Sequence, residues 1–193
     1  MGIEFELSAA AIKALDKIRL REQSRYNMED VLMDKGRLCA TDGRIGLILS
    51  SKESRDGKNI PADITTVLPF DVMRAAGGLS RSKKPLRFDL NVDEKNKATI
   101  STKVGRTRFE GTQDRDVPFP PIDVAMQKAE DHHYTNVAMS PDLLIRMAQA
   151  FKALGHTAMV FSVHTSQSHQ AVHVHSNDLE SELDGVIMPI SID

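Results

Sequence analysis

Three times along the chain a short apolar stretch meets a helix-start signal and then gives way to alternating apolar and polar residues. Phe5-Glu6-Leu7-Ser8 leads into Ala9-Ala10-Ala11-Ile12, Val67-Leu68-Pro69 into Phe70-Asp71-Val72-Met73, and Val137-Ala138-Met139-Ser140-Pro141 into Asp142-Leu143-Leu144-Ile145. Ser8 and Ser140 are suited to cap a helix N-terminus, and Pro69 and Pro141 to open its first turn. Gly77-Gly78 and Gly155 are expected as the exits of the second and third helices. In the first helix Ala11, Ile12, Ala14, Leu15 and Ile18 fall on one side of a 100° wheel, with Lys13, Lys17 and Arg21 opposite.

Strands are predicted after each helix. In the first unit they are Val31–Met33, Leu38–Ala40 and Ile45–Leu49, with the hairpin turn Asp34-Lys35-Gly36-Arg37. In the second they are Phe88–Val92, Ala98–Thr102 and Arg106–Glu110. In the third they are Met159–Val163, Val172–His175 and Gly185–Ile190. The unit is therefore β-α-β-β-β, repeated three times with almost no sequence identity between copies. Three prolines in the four residues from 118 to 121 cannot continue a helix or a central strand. They set the expected boundaries at 1–117 for a two-repeat domain, 118–134 for a linker and 135–193 for a half-domain. The fold class is α+β.

Composition narrows the function. The 193 residues are 40% hydrophobic with no Trp, so the core must be aliphatic and methionine-rich. A single cysteine, Cys39, excludes an internal disulfide framework and fits a reducing compartment. No secretion signal and no apolar run of about 18 residues stands out, so a cytoplasmic protein without a membrane partner is expected.

Charge is distributed unevenly. The windows Ala11–Arg25, Pro69–Arg87 and Ser140–His156 carry +3, +4 and +1, and the remainder carries −10, within a formal net charge of −2. A basic stripe on one helix is ordinary solvated surface; gathered around three repeated helices it also suits a phosphate backbone, bound without sequence preference.

Other candidates have simpler explanations. His173 and His175 share one strand face and His132-His133 lies in the linker, but zinc-like spacing is absent and exposed strand histidines account for them. Cys39 sits inside a strand pattern and reads as a buried thiol. Asp42 reads as a turn cap, and no P-loop, nucleophile elbow or dinucleotide fingerprint occurs. The C-terminal Val186-Ile187-Met188-Pro189-Ile190 is either an edge strand blunted by proline or one wall of an apolar groove for a peptide.

Four features in order resemble one family. Ala40-Thr41-Asp42-Gly43-Arg44, Val67-Leu68-Pro69 before a helix, Phe119-Pro120 at a boundary and the terminal Val186–Ile190 are similar to the bacterial sliding clamp, the β subunit of DNA polymerase III. The resemblance implies a clamp-like fold of half-domain repeats, helices on one face and antiparallel sheets on the other. It implies a processivity factor around double-stranded DNA, without catalytic residues, metal or other cofactor. Lys13, Lys17, Arg21, Arg74, Arg81, Lys83, Lys84, Arg146 and Lys152 would face the duplex. Thr41, Gly43, Arg44, Leu47, Pro69, Val72, Val186, Met188, Pro189 and Ile190 would form a groove for motifs of DNA polymerases or repair proteins.

Three units are half of the six in a bacterial clamp protomer, so the chain resembles a shortened version. It would be a homo-oligomer, with four chains matching the family's twelve units per ring. Two other readings stand beside this one. One is a clamp-derived peptide-binding adaptor that never encircles DNA; the other is a small enzyme without a recognisable site.

Overall fold

The computed structural model describes residues 3–50, 57–80, 84–113, 116–121, 137–163, 171–176 and 183–190. The first repeat comprises β1 (Ile3–Leu7), α1 (Ala9–Ile18), β2 (Val31–Asp34), β3 (Arg37–Thr41) and β4 (Ile45–Ser50), followed by the short β5 (Gly57–Lys58). The second comprises β6 (Thr66–Leu68), α2 (Phe70–Leu79), β7 (Leu86–Val92), β8 (Ala98–Val104) and β9 (Thr107–Thr112). The third comprises α3 (Pro141–Ala153), β10 (Val160–Ser162), β11 (Val172–Ser176) and β12 (Leu183–Ile187).

These strands make two sheets, antiparallel at every described pair. One runs β5-β1-β7-β8-β9; the other runs β10-β11-β12-β4-β3-β2-β6. The first two repeats exchange their opening strands: β1 pairs with β7 of the second repeat, and β6 pairs with β2 of the first. Neither repeat completes its sheet alone, so the exchange makes one cooperative unit of them. The third repeat joins through β12, which pairs along β4 from Leu183↔Leu49 to Ile187↔Ile45.

Local sequence explains the elements. The Ser8 hydroxyl accepts the Ala11 amide at 2.9 Å, and the residues α1 buries are Ala11, Ile12, Ala14, Leu15 and Ile18, the apolar side of the wheel. In the β2–β3 hairpin Lys35 and Gly36 both take positive φ, 50° and 75°. That backbone matches the twist of the flanking strands. Phe5 stacks on Phe88 across the exchanged β1–β7 pair, with centroids 5.3 Å apart. The core is mainly aliphatic, with Met33, Met73 and Met147 fully buried in it.

Three expectations are corrected. Gly77-Gly78 does not end the second helix but lies inside α2; a Cβ at Gly77 would stand 3.1 Å from Ile12 Cγ2, so the glycine lets α1 and α2 approach closely. Pro69 is the residue before α2, with φ −65° and ψ 106°, not its first helical residue. Val137–Met139 forms no strand, although the Ala138 carbonyl accepts the Ile190 amide at 2.8 Å. Gly155, with φ +85°, does terminate α3. The linker expected at 118–134 lies mostly outside the described residues; its start is pinned by Asn27, whose amide donates to the Pro118 carbonyl.

Gly185 marks a tight junction between the first and third repeats. A Cβ there would come within 2.9 Å of both the Gly46 carbonyl oxygen and Met147 Cε. Gly185→Val is therefore expected to lower stability by about 1–3 kcal/mol through overpacking, read as a shift in the urea unfolding midpoint. An unchanged midpoint would mean that the third repeat is not held this tightly on β4.

Candidate partner groove and helical face

The Thr41–Arg44 turn is a network of local bonds. Thr41 Oγ1 donates to the Ile45 carbonyl at 2.7 Å and accepts the Gly43 amide at 3.0 Å. Asp42 Oδ1 accepts the amides of Arg44 and Ile45, each at 2.9 Å. Gly43 takes φ +86° at no steric cost, and the Met28 sulfur stands beside it, 3.5 Å from where a Cβ would be.

The β4–β12 register brings the C-terminal strand to this turn. Thr41 pairs with Gly46, and Gly46 with Val186, so the three share one row across three strands. Two steps further, past the Ile45–Ile187 pair, the Met188 amide donates to the Arg44 carbonyl at 2.7 Å. Gly43 and Arg44 are exposed, Met188 and Pro189 are half-buried, and Ile190 is exposed. Two segments some 145 positions apart thus meet as one surface, apolar on one side and carrying the Arg44 cation on the other.

Three expected groove residues lie elsewhere. Leu47 is fully buried in the main core, because alternation along β4 turns it to the opposite face from the Thr41–Gly46–Val186 row. Pro69 follows β6, which is three strands away from β4, roughly 14 Å at the usual spacing. Pro69 and Val72 instead abut Gly111 of β9, where an added Cβ would lie 2.6 Å from Val72 Cγ2. The Phe70 amide at the start of α2 is capped from a distance by Asp30 Oδ1 at 2.9 Å; burial raises the Asp30 pKa, against the lowering effect of that bond.

Of the expected DNA-facing residues, Lys13, Arg21, Arg74, Lys84 and Lys152 are exposed and Lys17 is half-buried. Arg74 is paired with Asp71 on its own helix at 2.9 Å. Arg81 and Lys83 lie outside the described residues. Arg146 is the correction: it turns inward from α3. Its Nε and Nη2 donate to the Lys17 carbonyl at 3.1 and 3.0 Å, Nη2 to the Ile18 carbonyl at 3.1 Å, and Nη1 to Asp42 Oδ2 at 2.6 Å. The guanidinium thereby caps the C-terminal end of α1, where helix carbonyls lack partners and the dipole is negative, and ties it to the groove turn. Arg146, Met28 and Ala138 escape a reading by motif; the only hint in the sequence is a lone cation within the apolar run Leu143–Ala148.

His173 is not an exposed histidine: its Nε2 lies 2.8 Å from Asp184 Oδ1, and its ring stacks on His175 at 5.2 Å. Among the described residues no group of three or more candidate ligands could hold a metal ion, and no helix is long and apolar enough to cross a membrane. A separate cavity of about 680 Å³ lies between the β2–β3 surface, including Leu32 and Cys39, and the Pro118–Pro121 segment.

Two interleaved repeats, a third joined edge to edge and a shared helical layer define the fold of the DNA sliding clamps. Among solved structures, the chain is similar to the DNA polymerase III β subunit of Thermotoga maritima, with a TM-score of 0.65, 12% identity and coverage of 100% of this chain and 65% of that one. The sliding clamp of Bartonella birtlesii bound to griselimycin gives 0.64, 14%, 98% and 66%. The PCNA of A. fulgidus bound to the C-terminal region of FEN-1 gives 0.56, 12%, 99% and 99%. The chain thus spans about two thirds of the bacterial clamps it matches. The sequence matches no family model and no curated protein.

The clasp separates two roles of Asp42. Asp42→Asn keeps an Oδ1 acceptor for the turn but removes the charge facing Arg146. Both Asp42→Asn and Arg146→Met are expected to cost about 1–3 kcal/mol of stability and to speed hydrogen exchange at the Met188 amide. Wild-type exchange at Met188 in both variants would remove the clasp as a support of the groove.

Proposed function

We propose that this protein is a non-enzymatic, cytoplasmic sliding-clamp-like processivity factor. Its helical face lies along double-stranded DNA without reading sequence. The surface formed by Gly43, Arg44, Met188, Pro189 and Ile190, over the buried Thr41 and Val186 that hold it, captures short motifs of DNA polymerases or repair proteins. The observation that carries this reading is the Arg44–Met188 bond within the β4–β12 register, which joins the two motif segments into one surface. The clamps of similar fold add support, since one is bound to griselimycin and another to the C-terminal region of FEN-1. Several copies would assemble the ring, four by the unit count.

A second reading, an adaptor that holds partner peptides but does not encircle DNA, draws support from the helical face. Arg146 is withdrawn from that face to Asp42, which lies outside the three basic windows and so leaves less positive charge there than they suggest.

Retention on closed circular duplex, with release after linearisation, separates tether from adaptor. Lys17→Glu with Arg21→Glu should weaken DNA binding and flatten its salt dependence by about two units of log–log slope, with griselimycin binding unchanged. Retention that ignores this pair, or wild-type protein that never stays on circular DNA, would reject the tether.

For the groove, Met188→Ala with Pro189→Ala should weaken griselimycin binding at least tenfold, about 1.4 kcal/mol, by calorimetry on protein whose melting is unaltered. Equal affinity in the variant would place the ligand elsewhere.

A further inference from the structure

The first two repeats set a rule that the third repeat leaves half fulfilled. In each of them the opening strand crosses to the first strand after the other repeat's helix, β1 to β7 and β6 to β2. The first strand after the helix in the third repeat is β10. Among the described residues β10 ends its sheet, with β11 on one side only. Its Val160 and Phe161 are 49% and 39% exposed. An open edge with exposed apolar side chains is a template for another strand.

The donor segment is equally incomplete. Opening strand β1 has two neighbours: β7 across the exchange, and β5, which follows the last strand of its own repeat. The third repeat reproduces the second of these contacts. Ala138 accepts the amide of Ile190, which follows β12 just as β5 follows β4. Backbone groups alternate sides along an extended chain, so with Ala138 engaged on Ile190 the flanking Val137 and Met139 address the other side, where β1 meets β7.

The helices agree. In the exchanged pair, Ile12, four residues after the α1 cap, packs against Gly77, eight after the α2 cap. The equivalent positions in α3, counted from Ser140, are Leu144 and Ala148, half-buried and exposed. The adjacent Ile145 is 54% exposed. A small residue therefore stands where a facing helix must come close.

We infer that the third repeat docks on the third repeat of a second copy of this chain. Val137–Met139 of each copy adds to the β10 edge of the other that is open among the described residues, and the two α3 helices face one another with Leu144 against Ala148. The contact is two-fold and self-complementary, so it closes on a pair of chains. It supplies a symmetric joint for the ring proposed above, but it rests on the internal strand exchange and not on DNA or peptide binding.

Light scattering tests it. The wild-type mass is expected at an even multiple of the 21.4 kDa chain, and Phe161→Glu is expected to halve it while leaving the melting transition in place. A mixture of Ala138→Cys and Phe161→Cys proteins should yield an oxidised covalent dimer that neither variant gives alone, which covers the case in which Phe161→Glu fails to fold. A monomeric wild type, a mass indifferent to folded Phe161→Glu, or no cross-linked dimer would overturn the pairing. An even-numbered oligomer that passes these tests yet never stays on circular DNA would keep the pairing and reject the tether.

Discussion

The β4–β12 ladder is the interaction on which the arrangement depends. It converts two chain segments with no sequence connection into adjacent strands, and its register decides which side chains meet. Met188 reaches Arg44 because Ile187 faces Ile45. A slip of one residue would turn Val186 into the core and Ile187 out of it. Gly185 lets Met147 of α3 press on the ladder from the core side, so helix and strand fix the third repeat together.

Arg146 reinforces that junction with charge. Its acceptors come from two elements of the first repeat, the end of α1 and the Asp42 turn, while Arg146 itself belongs to the third. A planar guanidinium can span such acceptors at once, where an ammonium is a point donor. The Asp42 side chain is 9% exposed, so its partner offsets the cost of burying a carboxylate. The turn is thus local at Oδ1 and long-range at Oδ2. The same cation cannot also lie along a phosphate backbone, and the helical face is less basic for it.

Strand exchange explains how a repeat can persist without shared sequence. Each copy must supply an amphipathic helix, alternating strands and an opening strand able to leave for its neighbour; none of these needs a particular residue. What the exchange does require is close approach. Gly77 meets that need where α2 crosses Ile12, which is why a glycine pair that looks like a helix exit lies inside the helix.

The sequence by itself determined what local rules control. Apolar spacing set the buried side of α1, turn chemistry set the Asp34–Arg37 and Thr41–Arg44 turns, and Gly155 ended α3, because these depend on dihedral preferences and bonds within a few residues. The junction of the two groove segments was legible only through the family resemblance. Tertiary structure decided the rest. It sent Leu47 into the core, moved Pro69 and Val72 to β9, paired His173 with Asp184 and turned Arg146 inward. It also left Val137–Met139 outside any strand. Each of these outcomes depends on what lies across a sheet or a helix crossing from another repeat, and no periodicity within a segment encodes the identity of that neighbour.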